Sequence, residues 1–141
     1  MKKLVFLIIL FLVLPHLSAI NLEVQKIDSR EVIINNVNEP AVFYLKVKNL
    51  GGSDNFEFYN LLGFSMAPKG TVLIASGETK DVELIIYPRE DLNYKGFYTF
   101  EYFIQANNNE KVSEKVTINM VDLKDAFEIG SWEILPETSA I

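Results

Sequence analysis

The chain has 141 residues, with 19 acidic against 13 basic side chains, one histidine and no cysteine. Its net charge of −6 lacks the basic footprint that neutralising phosphate demands, which sets nucleic-acid binding aside. The same sign argues against attraction to an anionic membrane surface, and the missing thiols exclude a disulfide scaffold.

The first signal along the chain is an address. Lys2 and Lys3 precede an unbroken apolar run from Leu4 to Leu14. Pro15 ends the run, and Leu17-Ser18-Ala19 offers a cut site before Ile20. A positive end, a short apolar stretch and small residues at the cut describe a secretory signal peptide. Residues 1–19 are therefore expected to be removed, and the product to be exported to the periplasm, cell surface or exterior. The competing reading is a retained anchor. A spanning helix needs about 20 apolar residues, whereas Leu4 to Leu14 supplies 11 and any extension crosses Pro15 and His16.

Cleavage after Ala19 removes the only histidine, His16, together with Lys2 and Lys3. It leaves 122 residues with 11 basic and 19 acidic groups, a net charge of −8. That length suits one domain with a core that needs no disulfide. An exported domain without cysteine fits a prokaryotic envelope better than a small animal-type secreted scaffold.

From Ile20 onward the hydrophobic period is two. Weak runs at Leu22–Ile27 and Glu31–Ile34 come first. Ala41, Phe43, Leu45 and Val47 then alternate with Val42, Tyr44, Lys46 and Lys48. Further runs follow at Phe56–Leu62 and Thr71–Ala75. Val82, Leu84 and Ile86 share a face. So do Tyr98, Phe100, Tyr102 and Ile104 within Gly96–Gln105, and Val112, Val116, Ile118 and Met120 within Lys111–Val121. β-branched and aromatic residues fill these runs, as a half-buried pleated surface favours. Turn chemistry separates them at Asn49–Asp54, Pro68-Lys69-Gly70, Ser76-Gly77-Glu78, Pro88 and Asn107-Asn108-Asn109. No stretch reads as a long amphipathic helix. The pattern predicts an all-β, immunoglobulin-like antiparallel β-sandwich of about seven to eight strands over residues 20–122.

Tyr98 stands near the start of a strand, two residues before the core position Phe100. In immunoglobulin-like sandwiches a tyrosine in that place bonds through its hydroxyl to upstream backbone. Tyr98 is accordingly expected to be such a corner tyrosine, the plainer alternative being one more core aromatic.

These residues resemble the immunoglobulin-like modules of exported bacterial and archaeal proteins. The pattern is similar to the alpha-galactosidase-associated Ig-like module, with the cell-adhesion-related domain of bacteria as a cousin. The resemblance lies in Val47-Lys48-Asn49 followed by Gly51-Gly52-Ser53-Asp54 and Phe56, then Gly77-Glu78 before Val82–Pro88, then Gly96-Phe97-Tyr98-Thr99-Phe100. It covers roughly Pro40 to Met120. Ser76 departs from it, standing where the family often has proline, and so does the short aromatic stretch Phe56–Phe64. The resemblance implies a spacer, adhesion or accessory module without catalytic residues of its own.

The residues add little chemistry. Without His16 the mature chain has no imidazole for a triad or a zinc site. It has no nucleophile elbow and no phosphate loop. Asp54 with Glu57 and Glu90 with Asp91 are the paired carboxylates that glycoside hydrolysis or calcium binding would draw on. Both pairs fall in expected loops or at strand edges, where solvated charge is the plainer reading, and neither has EF-hand spacing. Tyr44, Tyr87, Phe97 and Phe103 lie opposite the core stripe and are the candidates for stacking on a sugar or a partner. The expectation is thus no enzyme, no catalytic or metal residue and no cofactor. The partner is expected to be a protein or a cell-surface glycan, with no membrane insertion of the mature domain. Alternatives from other classes are a periplasmic chaperone that caps subunits by strand addition and an accessory module of a secreted carbohydrate-active enzyme.

Residues 123–141 read as a linker or the start of a second module. Phe127, Ile129, Trp132 and Ile134 restore apolar character, and Leu135-Pro136-Glu137 resembles the turn at Asn38-Glu39-Pro40. The other reading is an extension that packs Trp132 on the sandwich.

Overall fold

The computed structural model describes residues 20–130. Residues 1–19, expected to be a leader and including His16, and the tail bearing Trp132, Ile134 and Leu135-Pro136-Glu137 lie outside the described residues.

Among the described residues, nine strands form two packed sheets. In chain order they are β1 (Leu22–Arg30), β2 (Val32–Ile34), β3 (Ala41–Asn49), β4 (Asp54–Asn60), β5 (Met66–Ala67), β6 (Thr71–Ile74), β7 (Thr79–Ile86), β8 (Gly96–Ala106) and β9 (Lys111–Val121). A 3-10 turn at Asn35–Val37 follows β2, and helix α1 (Leu123–Gly130) follows β9. One sheet has the order β1-β3-β7-β5, the other β2-β9-β8-β4-β6. Apart from the short β2 and β6, this is the immunoglobulin-like arrangement, with first, second, fourth and fifth strands facing third, sixth and seventh.

Period two dictates which side chains meet. Opposite one another on β3 and β7 are Ala41 and Ile86, Phe43 and Leu84, Leu45 and Val82. On the facing sheet Phe56 pairs with Ala106, Phe58 with Ile104, and Phe100 with Val116. All of these are buried in one continuous core. Each large apolar side chain so buried contributes about 1.5–3 kcal/mol.

Two departures from the sequence pattern have local causes. The sandwich is not wholly antiparallel, because β2 runs parallel to β9, with Val32 opposite Asn119 and Ile34 opposite Val121. The chain changes sheets through the single residue Glu31 between β1 and β2, too short a step to reverse its direction. Glu31 fixes the step. Its carbonyl accepts from the Asn119 N–H at 2.8 Å, while its carboxylate accepts from Lys26 Nζ at 2.7 Å and Ser29 Oγ at 2.9 Å. The bond from Lys26, then that from Ser29, holds this carboxyl below the usual carboxylate range.

The second departure is the end of β4 at Asn60 rather than Leu62. The Asn60 side chain supplies what the ladder would have. Its Oδ1 accepts from Leu62 N at 3.0 Å and Phe64 N at 3.1 Å, and its Nδ2 donates to Phe64 O at 2.8 Å. An asparagine that bonds its own downstream backbone favours a turn over a continuing strand. Beyond that turn comes β5, two residues long and invisible to a periodicity argument. Leu123–Gly130, within the stretch expected as a linker or the start of a second module, is helical. Lys95 holds the entry to α1, pairing with Asp122 and lying 3.8 Å from Asp125.

Candidate functional site

The carboxylate pairs do not converge. Asp54 and Glu57 are three residues apart on β4, and an odd spacing on a strand sends side chains to opposite faces. Asp54 Oδ1 accepts from the N–H of Asn55 at 2.7 Å, whereas Glu57 is exposed on the outer face. Glu90 and Asp91 are neighbours in the β7–β8 loop, yet Arg89 engages only Asp91, through Nε at 2.9 Å and Nη2 at 2.5 Å. Those bonds hold the Asp91 carboxyl below the usual carboxylate range. Glu90 instead lines an open cleft of about 770 Å³ with Asn35, Asn38, Leu92 and Asp122. Among the described residues no three histidine, cysteine or acidic side chains gather as a metal site.

At the same end of the sandwich lies an aromatic cluster around Tyr98. Phe64 stacks on Phe100 with centroids 4.9 Å apart, and Tyr98 tilts against both at 6.1 Å. Tyr94 meets Tyr98 edge-on at 5.6 Å. The hydroxyl-to-backbone bond of this loop belongs to Tyr94, which donates to Phe97 O at 3.0 Å. Tyr98 is therefore not the corner tyrosine; it is held by its ring. Arg89 closes the cluster. Its guanidinium lies 6.0 Å from the Phe64 ring centroid and donates to the Leu62 carbonyl. Gly63 makes the crossing at φ +76°, a left-handed conformation that favours glycine.

The opposite end is organised by Asn49, the one buried polar side chain among the described residues, 1 % exposed. Its Nδ2 donates to Gly52 O at 2.8 Å and Ile74 O at 3.0 Å, and its Oδ1 accepts from Gly51 N at 2.9 Å. Its backbone joins the next turn, with its N–H donating to Glu78 O and its carbonyl accepting from Gly77 N. The sequence marks Asn49–Asp54 as a turn; only the structure shows the amide as its hub.

The exposed aromatics divide between two surfaces. Tyr44, 46 % exposed, stands on the outer face of the four-stranded sheet. Phe97, 70 % exposed, and the half-buried Phe103 stand on the outer face of the five-stranded sheet, six residues apart on β8 and so about 20 Å apart. Tyr87 is half-buried just beyond β7, its N–H bonded to Ser65 O. These four residues do not form one patch.

A compact patch does form around Phe103, from residues the sequence did not single out. Tyr59 faces Phe103 across β4 and β8, and their rings stack with centroids 5.3 Å apart at 25°. The Tyr59 hydroxyl donates to Gln105 Oε1 at 3.0 Å, and Gln105 Nε2 reaches Asn109 Oδ1 at 3.1 Å. Lys111 Nζ sits 4.9 Å from the Phe103 centroid. On the flanking β6, Leu73 is 57 % exposed. Rigid aromatic rings bearing a polar handle and a flanking cation are the side chains that dominate protein interfaces. The alternation Phe56, Phe58 against Glu57, Tyr59 was available in the sequence, and would have placed Tyr59 beside Phe103 had the β4–β8 pairing been known.

No family model matches the chain, and no curated protein does. Among solved structures, a FixG-related protein from Vibrio parahaemolyticus is similar at 14% identity over 74% of this chain and 98% of that one, with a TM-score of 0.54. The CARDB domain of a Pyrococcus furiosus protein, solved with di-metal ions, has 19% identity over 74% of this chain and 96% of that one, at TM-score 0.41. A beta-glucosidase from Listeria innocua in complex with glucose has 12% identity over 74% of this chain and 17% of that one, at TM-score 0.42. The Vibrio structure agrees with the sandwich described here; at such identity the likeness concerns the fold alone.

Proposed function

We propose that the chain is exported and that its mature part is a non-catalytic interaction module, a spacer or adhesion unit of an envelope protein. The N-terminal Lys2-Lys3 and apolar run support the export. The carrying observation for interaction is the Tyr59–Phe103 stack with Lys111, displayed on the outside of the five-stranded sheet. A sheet face fixed by ladders on both sides presents these rings without loop entropy to lose on binding. The partner class this face suits best is a protein surface, since Lys111 already occupies one side of the Phe103 ring that a sugar would stack on.

Strand addition is the weaker reading. The edge strand β1 carries Glu23, Gln25, Lys26 and Asp28 and has a register shift between Lys26 and Asp28, both of which discourage pairing with another strand.

The test places a photo-crosslinking amino acid at position 103 or at position 44 of the full chain, in cells that export it. A discrete adduct from position 103 and none from position 44 is expected. Adducts from 44 alone, or from neither, contradict the assignment of the face.

A further inference from the structure

The start of the folded domain is tied down in an unusual way. The backbone N–H of Ile20 donates to Glu110 Oε2 at 2.5 Å, across 90 residues of sequence. Ile20 is the residue that the leader reading places first in the mature chain. Its amide nitrogen is the atom that would become the α-amino group.

The surroundings hold both partners in place. The Ile20 side chain packs against the core, and the next carbonyl, that of Asn21, accepts from Leu50 N at 2.8 Å. Glu110 closes the β8–β9 turn. Its carbonyl accepts from Ala106 N at 2.9 Å, and its N–H donates to Asn108 Oδ1 at 3.0 Å, while Asn109 takes the left-handed conformation at φ 66°. Ile20 also lines a small cleft of about 150 Å³ together with Asn49, Asp54, Phe56 and Asn108. An ammonium has three donors, and Glu110 is placed to take one of them.

We propose that Glu110 is the receptor for a newly made N-terminus: cleavage after Ala19 converts the Ile20 amide into an ammonium that forms an ion pair with the Glu110 carboxylate. Hydrolysis of the Ala19–Ile20 bond adds water, leaving a carboxylate on Ala19 and the amine on Ile20. An α-amine has an ordinary pKa near 8 and is charged at neutral pH. A charge-assisted hydrogen bond is roughly twice as strong as a neutral one. Before the cut, the leader-bearing chain has only a neutral N–H on this carboxylate. After it, the start of β1, in one sheet, is ionically clamped to the β8–β9 turn of the other. Processing thus makes the exported form more stable than its precursor. The proposal rests on the export reading for its biological setting, though not for its chemistry.

The experiment compares two forms of residues 20–141, which contain the whole core cluster. One is released from a fusion with Ile20 as a free terminus; the other keeps a Gly-Ser extension that leaves the Ile20 nitrogen an amide. Each is made with Glu110, with Glu110→Gln and with Glu110→Asp. The free-terminus form is expected to melt about 3–6 °C above the extended form. The gap should vanish in Glu110→Gln and shrink in Glu110→Asp, whose shorter side chain reaches less far. No gap with Glu110 present, or the same gap in all three, overturns the proposal; the Glu110 comparison needs no variant to fold. N-terminal sequencing of exported protein is scored separately. A start other than Ile20 refutes the leader reading while the melting gap still reports whether Glu110 captures the amine.

Discussion

Asn49→Ala should be among the most damaging single polar substitutions in this domain. The side chain makes three hydrogen bonds from a site 1 % exposed. Its bond to the Ile74 carbonyl is buried, while those to Gly52 and Gly51 are partly accessible to water. Stranding a buried acceptor costs about 1–3 kcal/mol, and each bond that water can replace about 0.5–1 kcal/mol. The total is about 2–5 kcal/mol. For a domain of this size that lowers the thermal midpoint by about 8–20 °C. Asn49→Asp sharpens the test. It keeps the acceptor for Gly51 N but turns an anionic oxygen toward the Gly52 and Ile74 carbonyls. It should therefore be at least as damaging as alanine at pH 7, and less so near pH 4, where a protonated carboxyl donates again. Urea unfolding followed by circular dichroism measures both, with the m-value expected to stay unchanged. A loss below about 0.5 kcal/mol for Asn49→Ala, or Asn49→Asp tolerated at pH 7, refutes the hub.

At the opposite end, Tyr98→Phe should change stability by less than about 0.5 kcal/mol, since its ring and not its hydroxyl holds it, whereas Phe64→Ala should cost about 3–5 kcal/mol by opening the stack on Phe100; chemical denaturation ranks the two. Arg89 lowers the folded pKa of Asp91, so the pair stabilises above the ordinary aspartate pKa and loses that effect as pH falls through the lower folded value. Arg89→Gln should flatten the acid limb of a midpoint-against-pH curve below about pH 4 and leave the curve above pH 5 parallel to the parent's. On the outer face, Lys111→Glu should leave the thermal midpoint nearly unchanged and abolish the adduct from position 103.

Where alternation was long, the sequence was sufficient. Ala41, Phe43, Leu45 and Val47 face the core because a seven-residue alternation admits one register with the apolar set inside. The ends of elements were less legible, because single side chains decide them. Asn60 stops β4 by bonding to Leu62 and Phe64, and no period records that. The parallel pairing of β2 follows from a one-residue change of sheet at Glu31. Tyr98 drew attention by its spacing from Phe100, yet the bond expected of it is made by Tyr94, in a loop whose path the sequence does not state. The Phe103 patch was half visible. Phe103 stood out as an outward aromatic, but Tyr59, Gln105 and Lys111 join it only through the order β4-β8-β9.

Export followed by release of Ile20 is checked by N-terminal sequencing, with intact mass, of the full-length product made in a bacterial host. Protein recovered from the periplasmic or secreted fraction is expected to begin at Ile20. Protein that retains Met1 and stays with the membrane or the cytosol contradicts it.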